Sequence, residues 1–298
     1  MLSLHTNSAA LAAQNSISRT QSSLSTSQTR LSTGFRVNSA MDDAAGLQIA
    51  TRLKYQTSGM TVAMRNTQNS ISLMQTAEGA LDETTTILVR MKDLATQAAD
   101  GSSNDADRTS MQAEFDALTN ELTNIVGNTT FGGQKLFNAD MSSSTATFQN
   151  TGLTFQIGAS TNETLKFDLT TQVSAMQTAL TSATAGFNSS GTASTATGTE
   201  LATSAATANS AIDLLASAID SVSVVRSNLG ATSNRLEHVY NNLANVSTNT
   251  KAAEGRIMDT DFAAESSNMT SQQMLLQAGT AMLKQSNSTS SLVMSLLQ

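Results

Sequence analysis

Few residues in this chain could do chemistry. Its two histidines, His5 and His238, lie far apart, and neither sits in the H-E-x-x-H spacing that puts two zinc ligands on one helix face. Asp42 and Asp43 offer adjacent carboxylates for general acid–base work. The surrounding NSAMDDAAGL explains them better as a helix start, with Ser39 as cap and the two acids in the first turn, where the macrodipole favours negative charge. The fourteen methionines mostly fill heptad positions, where a flexible thioether suits sliding contacts more than a cofactor role. No G-x-x-x-x-G-K-[ST] phosphate cradle occurs, and the chain has no cysteine for disulfides or thiolate metal sites. These residues predict no cofactor, no metal site and no enzyme.

The informative residues are instead apolar, and they are spaced. Leu4, Leu11, Ile17, Leu24 and Leu31 fall about two helical turns apart near one end of the chain. Near the other end Phe262, Met269, Leu276, Leu283 and Leu297 share a seven-residue register that only Ser290 interrupts. Apolar residues every seven positions make the narrow seam that one helix offers another. Both stripes are flanked by Ser, Thr, Asn and Gln, so each helix needs a partner to offset the ordering of its backbone. Residues 1 to 41 hold Arg19, Arg30 and Arg36 and no acid before Met41, whereas the second stripe carries Asp259, Asp261 and Glu265 against Lys284. Opposite charge suits a pairing of the two.

Composition agrees with slender helical packing. The 298 residues carry a net charge of -7, which argues against a phosphate-binding surface, and aromatics are only 4% with no tryptophan. There is no proline, as long helices require. The first residues, MLSLHTNSAALAAQ, lack the basic and apolar regions of a signal peptide. No stretch approaches the eighteen or so apolar residues of a membrane span. The expectation is a chain that stays in the cytoplasm or leaves the cell without a cleaved signal.

Between the stripes the periodicity predicts a long helix over 42–99, about 80 Å at 1.5 Å per residue, with Leu53, Met60, Met74, Leu81 and Leu88 in register. A shorter helix follows over 107–127, with Met111, Leu118 and Ile125 in one register. Residues 130–170 change period: FGGQKLF reads as a turn into a strand, and Leu153 to Ile157 and Leu165 to Leu169 alternate as half-buried strands do. Residues 176–200 read as a short variable loop, its Ser/Thr-rich part from 188 solvated. A return helix over 201–250 places Leu215, Val222, Leu229, Leu236 and Leu243 seven apart. The fold class expected is mainly α: an elongated hairpin of long coiled-coil helices with a small antiparallel β patch. Its terminal helices pair as an inner coiled coil.

These residues resemble the bacterial flagellins. LSTGFRVNSAMDDAAGLQIATRL, NTTFGGQKLF, SNLGATSNRLEHVYNNLANV and RIMDTDFAAESSNMTSQQMLLQAGTAML match the family's motifs in order, across roughly 1–175 and 205–298. The short middle marks a short form, and the MLSLHTN start and QSNSTSSLVMSLLQ tail are similar to lateral-type members. The resemblance implies an inner core domain of 1–40 plus 257–298 and an outer rod domain of 41–256. It implies a self-polymerising filament subunit outside the cell, exported unfolded by the flagellar export apparatus with an export chaperone and assembled under the filament cap. It also implies that a host toll-like receptor for flagellin reads Arg90 and Leu94, one turn apart, with Glu114 on the next helix. Packing between protofilaments would account for those three residues equally well. Two other classes stay open at this stage: a hook–filament junction protein, and a secreted coiled-coil effector acting as a monomer.

Overall fold

A computed structural model describes residues 7–137, 147–148, 152–194 and 197–296, with side chains to residue 289. Leu4, His5 and Leu297 lie outside the described residues. Helices dominate, in the order α1 (Ser8–Thr33), α2 (Ala44–Ala99), α3 (Asp105–Asn128), α4 (Thr170–Ala183), α5 (Ala205–Met258) and α6 (Phe262–Leu296). Four short strands, β1 (Thr130–Phe131), β2 (Gln134–Lys135), β3 (Leu153–Gln156) and β4 (Thr164–Phe167), form two antiparallel pairs. The mainly α class with a small antiparallel β component is therefore the one the periodicity predicts.

The helix ends follow local chemistry. Asn7 caps α1 by accepting the Ala10 N–H at 3.1 Å, and Gly34, at φ 76°, closes it in the left-handed conformation that costs glycine nothing. Asn104 and Asp107 exchange side-chain and backbone bonds in a capping box at the start of α3. In α6 the Asp261 carboxylate receives the N–H groups of Ala263 and Ala264 at 2.9 and 3.2 Å. The start of α2 corrects the expected cap. Asp43, not Ser39, accepts the Gly46 N–H at 2.8 Å, so both acids precede the helix instead of lying in its first turn.

The chain divides into two compact units, Met1–Thr57 with Thr248–Gln298 and Ser58–Ser247. The division falls inside α2 and α5, not at the joints near 40 and 257. In the second unit one apolar core gathers α2, α3, α4, α5 and both hairpins. The expected registers line it: Met74, Leu81 and Leu88 of α2 and Leu215, Val222, Leu229 and Leu236 of α5 are essentially solvent-free. Thr67 holds the heptad position between Met60 and Met74 and returns its hydroxyl to the Ala63 carbonyl at 2.8 Å, which satisfies it inside the helix. Arg226 of α5 spans to α2, 2.7 Å from Glu78 and 2.9 Å from Asp82.

The β1–β2 turn places Gly132 and Gly133 both at positive φ, 59° and 82°, as a two-residue turn between twisted strands requires. The second hairpin pairs Leu153 with Phe167 and Phe155 with Leu165, so Phe155, Leu165 and Phe167 enter the core. Phe148 joins them, 5.6 Å from the Phe137 ring and 5.9 Å from that of Phe167.

Residues 176–200 depart from the expected variable loop in two ways. Thr170–Ala183 is helix α4, whose Val173, Met176, Leu180 and Ala183 recur at helical spacing and are buried. The Ser/Thr-rich part is an irregular loop as expected, with Asn188, Thr192, Ala193 and Thr199 exposed, but its backbone is strapped along α3. Backbone N–H groups of Asn188, Ser194, Gly198 and Leu201 donate to Thr123, Asn120, Asp116 and Gln112, at 3.3, 3.1, 3.1 and 2.6 Å. A polar helix face thus satisfies a backbone that has no strand to pair with.

Candidate assembly interface

Within the first unit α1 and α6 lie antiparallel. Asn7 Nδ2 donates to the Ser286 carbonyl at 3.3 Å, and the Arg30 guanidinium stands 3.8 Å from the Glu265 carboxylate near the opposite end. Of the sequence-predicted stripe, Ile17, Leu24 and Leu31 are half-buried on α1, and so are Met269, Leu276 and Leu283 on α6. Leu11 and Phe262 do not join them: they remain 51% and 57% exposed. Leu11 is one place out of register, because the inward positions ahead of Ile17 are Ala10 and Ala13.

Between the apolar layers lie polar or small ones that the apolar count alone missed. On α1 these are Thr20 and Ser27; on α6 they are Glu265, Gln272, Gly279 and Ser286. They occupy the other half of the heptad, three or four places from each apolar residue, which was the available signal. Gly279 is required by contact: a methyl group there would sit 2.9 Å from Ile17 Cγ1. Arg30 Nε and Gln272 Oε1 are buried without a hydrogen-bond partner. A seam that is apolar at alternate layers and carries unpaired polar atoms is weakly held.

The joint next to the pair is more tightly tied. Phe35 bridges Asp259 as in an antiparallel ladder; Arg36 N–H donates to the Met258 carbonyl at 2.6 Å, and Thr260 N–H to the Gly34 carbonyl at 3.0 Å. The Arg36 side chain adds a bond to the Ile257 carbonyl at 2.8 Å, so among the three arginines it is Arg30 that carries the expected charge pairing with α6. Asp42 receives the N–H groups of Asn38 and Ser39 and the Ser39 hydroxyl, at 3.1, 2.8 and 3.0 Å. Those donors, the Ser39 N–H foremost, hold its carboxyl below the usual aspartate range.

From the flank of that seam round to the far side, α6 shows a second apolar surface. Met274, Leu275 and Met282 are 59%, 60% and 67% exposed. With Ala278 they fall within an arc of about 100° at 3.6 residues per turn.

The three residues of the expected receptor epitope are separated by burial. Arg90 Nε and a terminal guanidinium nitrogen donate to Glu114 Oε1 at 2.9 and 2.6 Å, and both side chains are about half exposed. Leu94, only 2% exposed, belongs to the core of the second unit and offers no surface. It lies one turn from Arg90 but on the flank that turns inward, where the long Arg90 side chain reaches outward and across to α3.

Two family models match this chain. One, described as the bacterial flagellin N-terminal helical region, covers residues 4–142; the other, described as the bacterial flagellin C-terminal helical region, covers 212–297. The chain belongs to the bacterial flagellin family. Among its relatives, a flagellin of Bacillus subtilis is 38% identical over 303 residues, covering 99% of both chains. Flagellin A of Vibrio anguillarum is 34% identical over 386 aligned residues, covering all of both chains. That alignment exceeds the 298 residues present here, so the Vibrio flagellin carries segments this one lacks. A putative flagellar hook-associated protein of Vibrio parahaemolyticus shares the fold at TM-score 0.56 and 14% identity, over 73% of this chain and all of that one. As a flagellin, the chain is a structural subunit of the bacterial flagellar filament.

Proposed function

We propose that α1 and α6 are the polymerisation element of this flagellin, and that their pairing is completed by neighbouring copies. The observation that carries this is the α6 surface of Met274, Leu275 and Met282, exposed and outside the α1 seam. A helix with a thin seam and a further unpartnered apolar arc beside it is stable only when both are covered. Contact between two different patches of identical subunits is heterologous, and when its rotation does not close it yields an open helical polymer. The inner core of that polymer is residues 1–40 plus 257–298 and its outer rod is 41–256.

On this reading the weakness of the pair is part of the mechanism. The subunit passes through the flagellar export apparatus unfolded, attended by an export chaperone. It orders α1 and α6 under the filament cap and ends outside the cell as part of a swimming or swarming propeller. The role is structural and not catalytic. Seeded elongation tests it. The intact chain should extend filament fragments into flagellum-width filaments under the electron microscope. A chain ending at residue 258 should remain folded in its second unit by circular dichroism yet fail to extend seeds. Equal elongation by the shortened chain would contradict the proposal.

A host toll-like receptor reading the second unit would meet the exposed Arg90–Glu114 pair, with Leu94 supporting it from beneath. Arg90→Ala should lower receptor activation by the free subunit, and full activation by that variant would contradict this part of the reading.

A further inference from the structure

Among the described residues, methionines stand at both extremes of burial. Met74, Met91 and Met176 are at most 1% exposed inside the core of the second unit. Met274 and Met282 lie open on the outer arc of α6, and Met41 stands almost wholly exposed in the joint. Leu275 lies within the same arc as Met274 and Met282, and seven places before Met282. The arc is therefore an apolar contact surface in which two of the large side chains are oxidisable thioethers.

We propose that Met274 and Met282 make the free subunit oxidant-sensitive, so that a subunit oxidised there is excluded from the filament. The proposal rests on the assembly role assigned to this face. The oxidant class is a hydroperoxide. A sulfur lone pair attacks the terminal peroxide oxygen and the O–O bond breaks; the departing hydroxide takes up the proton. Thioether and hydrogen peroxide become sulfoxide and water, with sulfur oxidised and the peroxide oxygen reduced. The product side chain is polar and chiral where a flexible apolar one stood. Burying that oxygen against a neighbouring apolar surface without a donor carries the cost of an unpaired polar group. In the assembled state the same surface is covered, and the reaction is slowed by lack of access. Oxidation thus sorts subunits before they join and spares those already built in.

The test uses the full-length chain, hydrogen peroxide and seeded elongation. Peptide mass spectrometry of the treated free chain should find sulfoxide at Met274, Met282 and Met41, with Met74, Met91 and Met176 intact. That chain should extend seeds about tenfold or more slowly than untreated chain, as burial of an unpaired polar group implies. Assembled filaments treated alike should keep Met274 and Met282 as thioethers. The double variant Met274→Leu/Met282→Leu keeps volume and helix propensity. Measured against its own untreated rate, its elongation should fall much less after peroxide than the parent's does, whereas Met41→Leu should stay as sensitive as the parent. Undiminished elongation by oxidised parent chain, or equal loss in the double variant, would overturn the proposal. Untreated chain that never extends seeds would overturn the assembly reading itself, a result distinct from either.

Discussion

Asp42 has the residue type of a catalytic acid and the surroundings of a structural one. Its carboxylate accepts three donors from Asn38 and Ser39, and these hold its pKa down in the folded chain. The sign of the linkage follows: the ionised form is favoured on folding, so the contribution is complete above the ordinary aspartate value of about 3.9. It is lost as pH falls through the lowered value. Amide exchange at Asn38 and Ser39, corrected for intrinsic rates, should be constant from pH 7 to about pH 4 and rise only below it. Asp42→Asn should abolish that acid step. A transition between pH 5 and 7 would show that a different group controls the turn.

Elements were legible to the extent that apolar periodicity recorded them. The registers through Leu81 and Leu88, and through Leu215 to Leu236, became the core faces of α2 and α5, because a heptad stripe has one way to hide. Alternation at 153–157 and 165–169 gave the β3–β4 hairpin within a residue or two. Helix α4 went unread although Val173, Met176 and Leu180 carry its period, since Ser and Thr around them weaken the contrast. The strap over α3 had no readable signal: its order comes from main-chain N–H groups, which every residue but proline carries, meeting four polar side chains of α3. In the α1–α6 pair, the half-buried positions of Ile17, Leu24, Met269 and Leu276 were legible from spacing. The polar layers at Thr20 and Gln272 and the outer arc at Met274 and Met282 were not. The burial of Leu94 was not legible, because spacing gives a helix face but not how deeply the neighbouring helix covers it. The strap also carries a prediction. Gln112→Leu leaves the Leu201 N–H without its acceptor, at a cost of about 1–3 kcal/mol. Residues 188–201 should then be cleaved by dilute protease well before α3. Parent-like resistance would mean that the apolar anchors Phe187 and Leu201 hold the strap unaided.

For the whole molecule the two units differ in what holds them. The second closes one core of large apolar side chains from five kinds of contact partner: α2, α3, α4, α5 and the hairpins. In the first, α1 and α6 share a seam that is apolar only at alternate layers, leave Arg30 Nε and Gln272 Oε1 unpaired, and expose apolar residues of α6 outside the seam. Under the proposed assembly role, the second unit is the part that survives alone and the α1–α6 pair the part that needs further copies. In the proposed role, polymerisation supplies the missing cover. Hydrogen exchange of α1 and of α6 up to residue 289, compared between free subunit and filament at one pH, tests it most directly. The expected result is near-intrinsic exchange of both helices in the free chain, slow exchange in the filament, and slow exchange of the second unit's core in both. Equal protection of α1 and α6 in the monodisperse free chain would contradict the account.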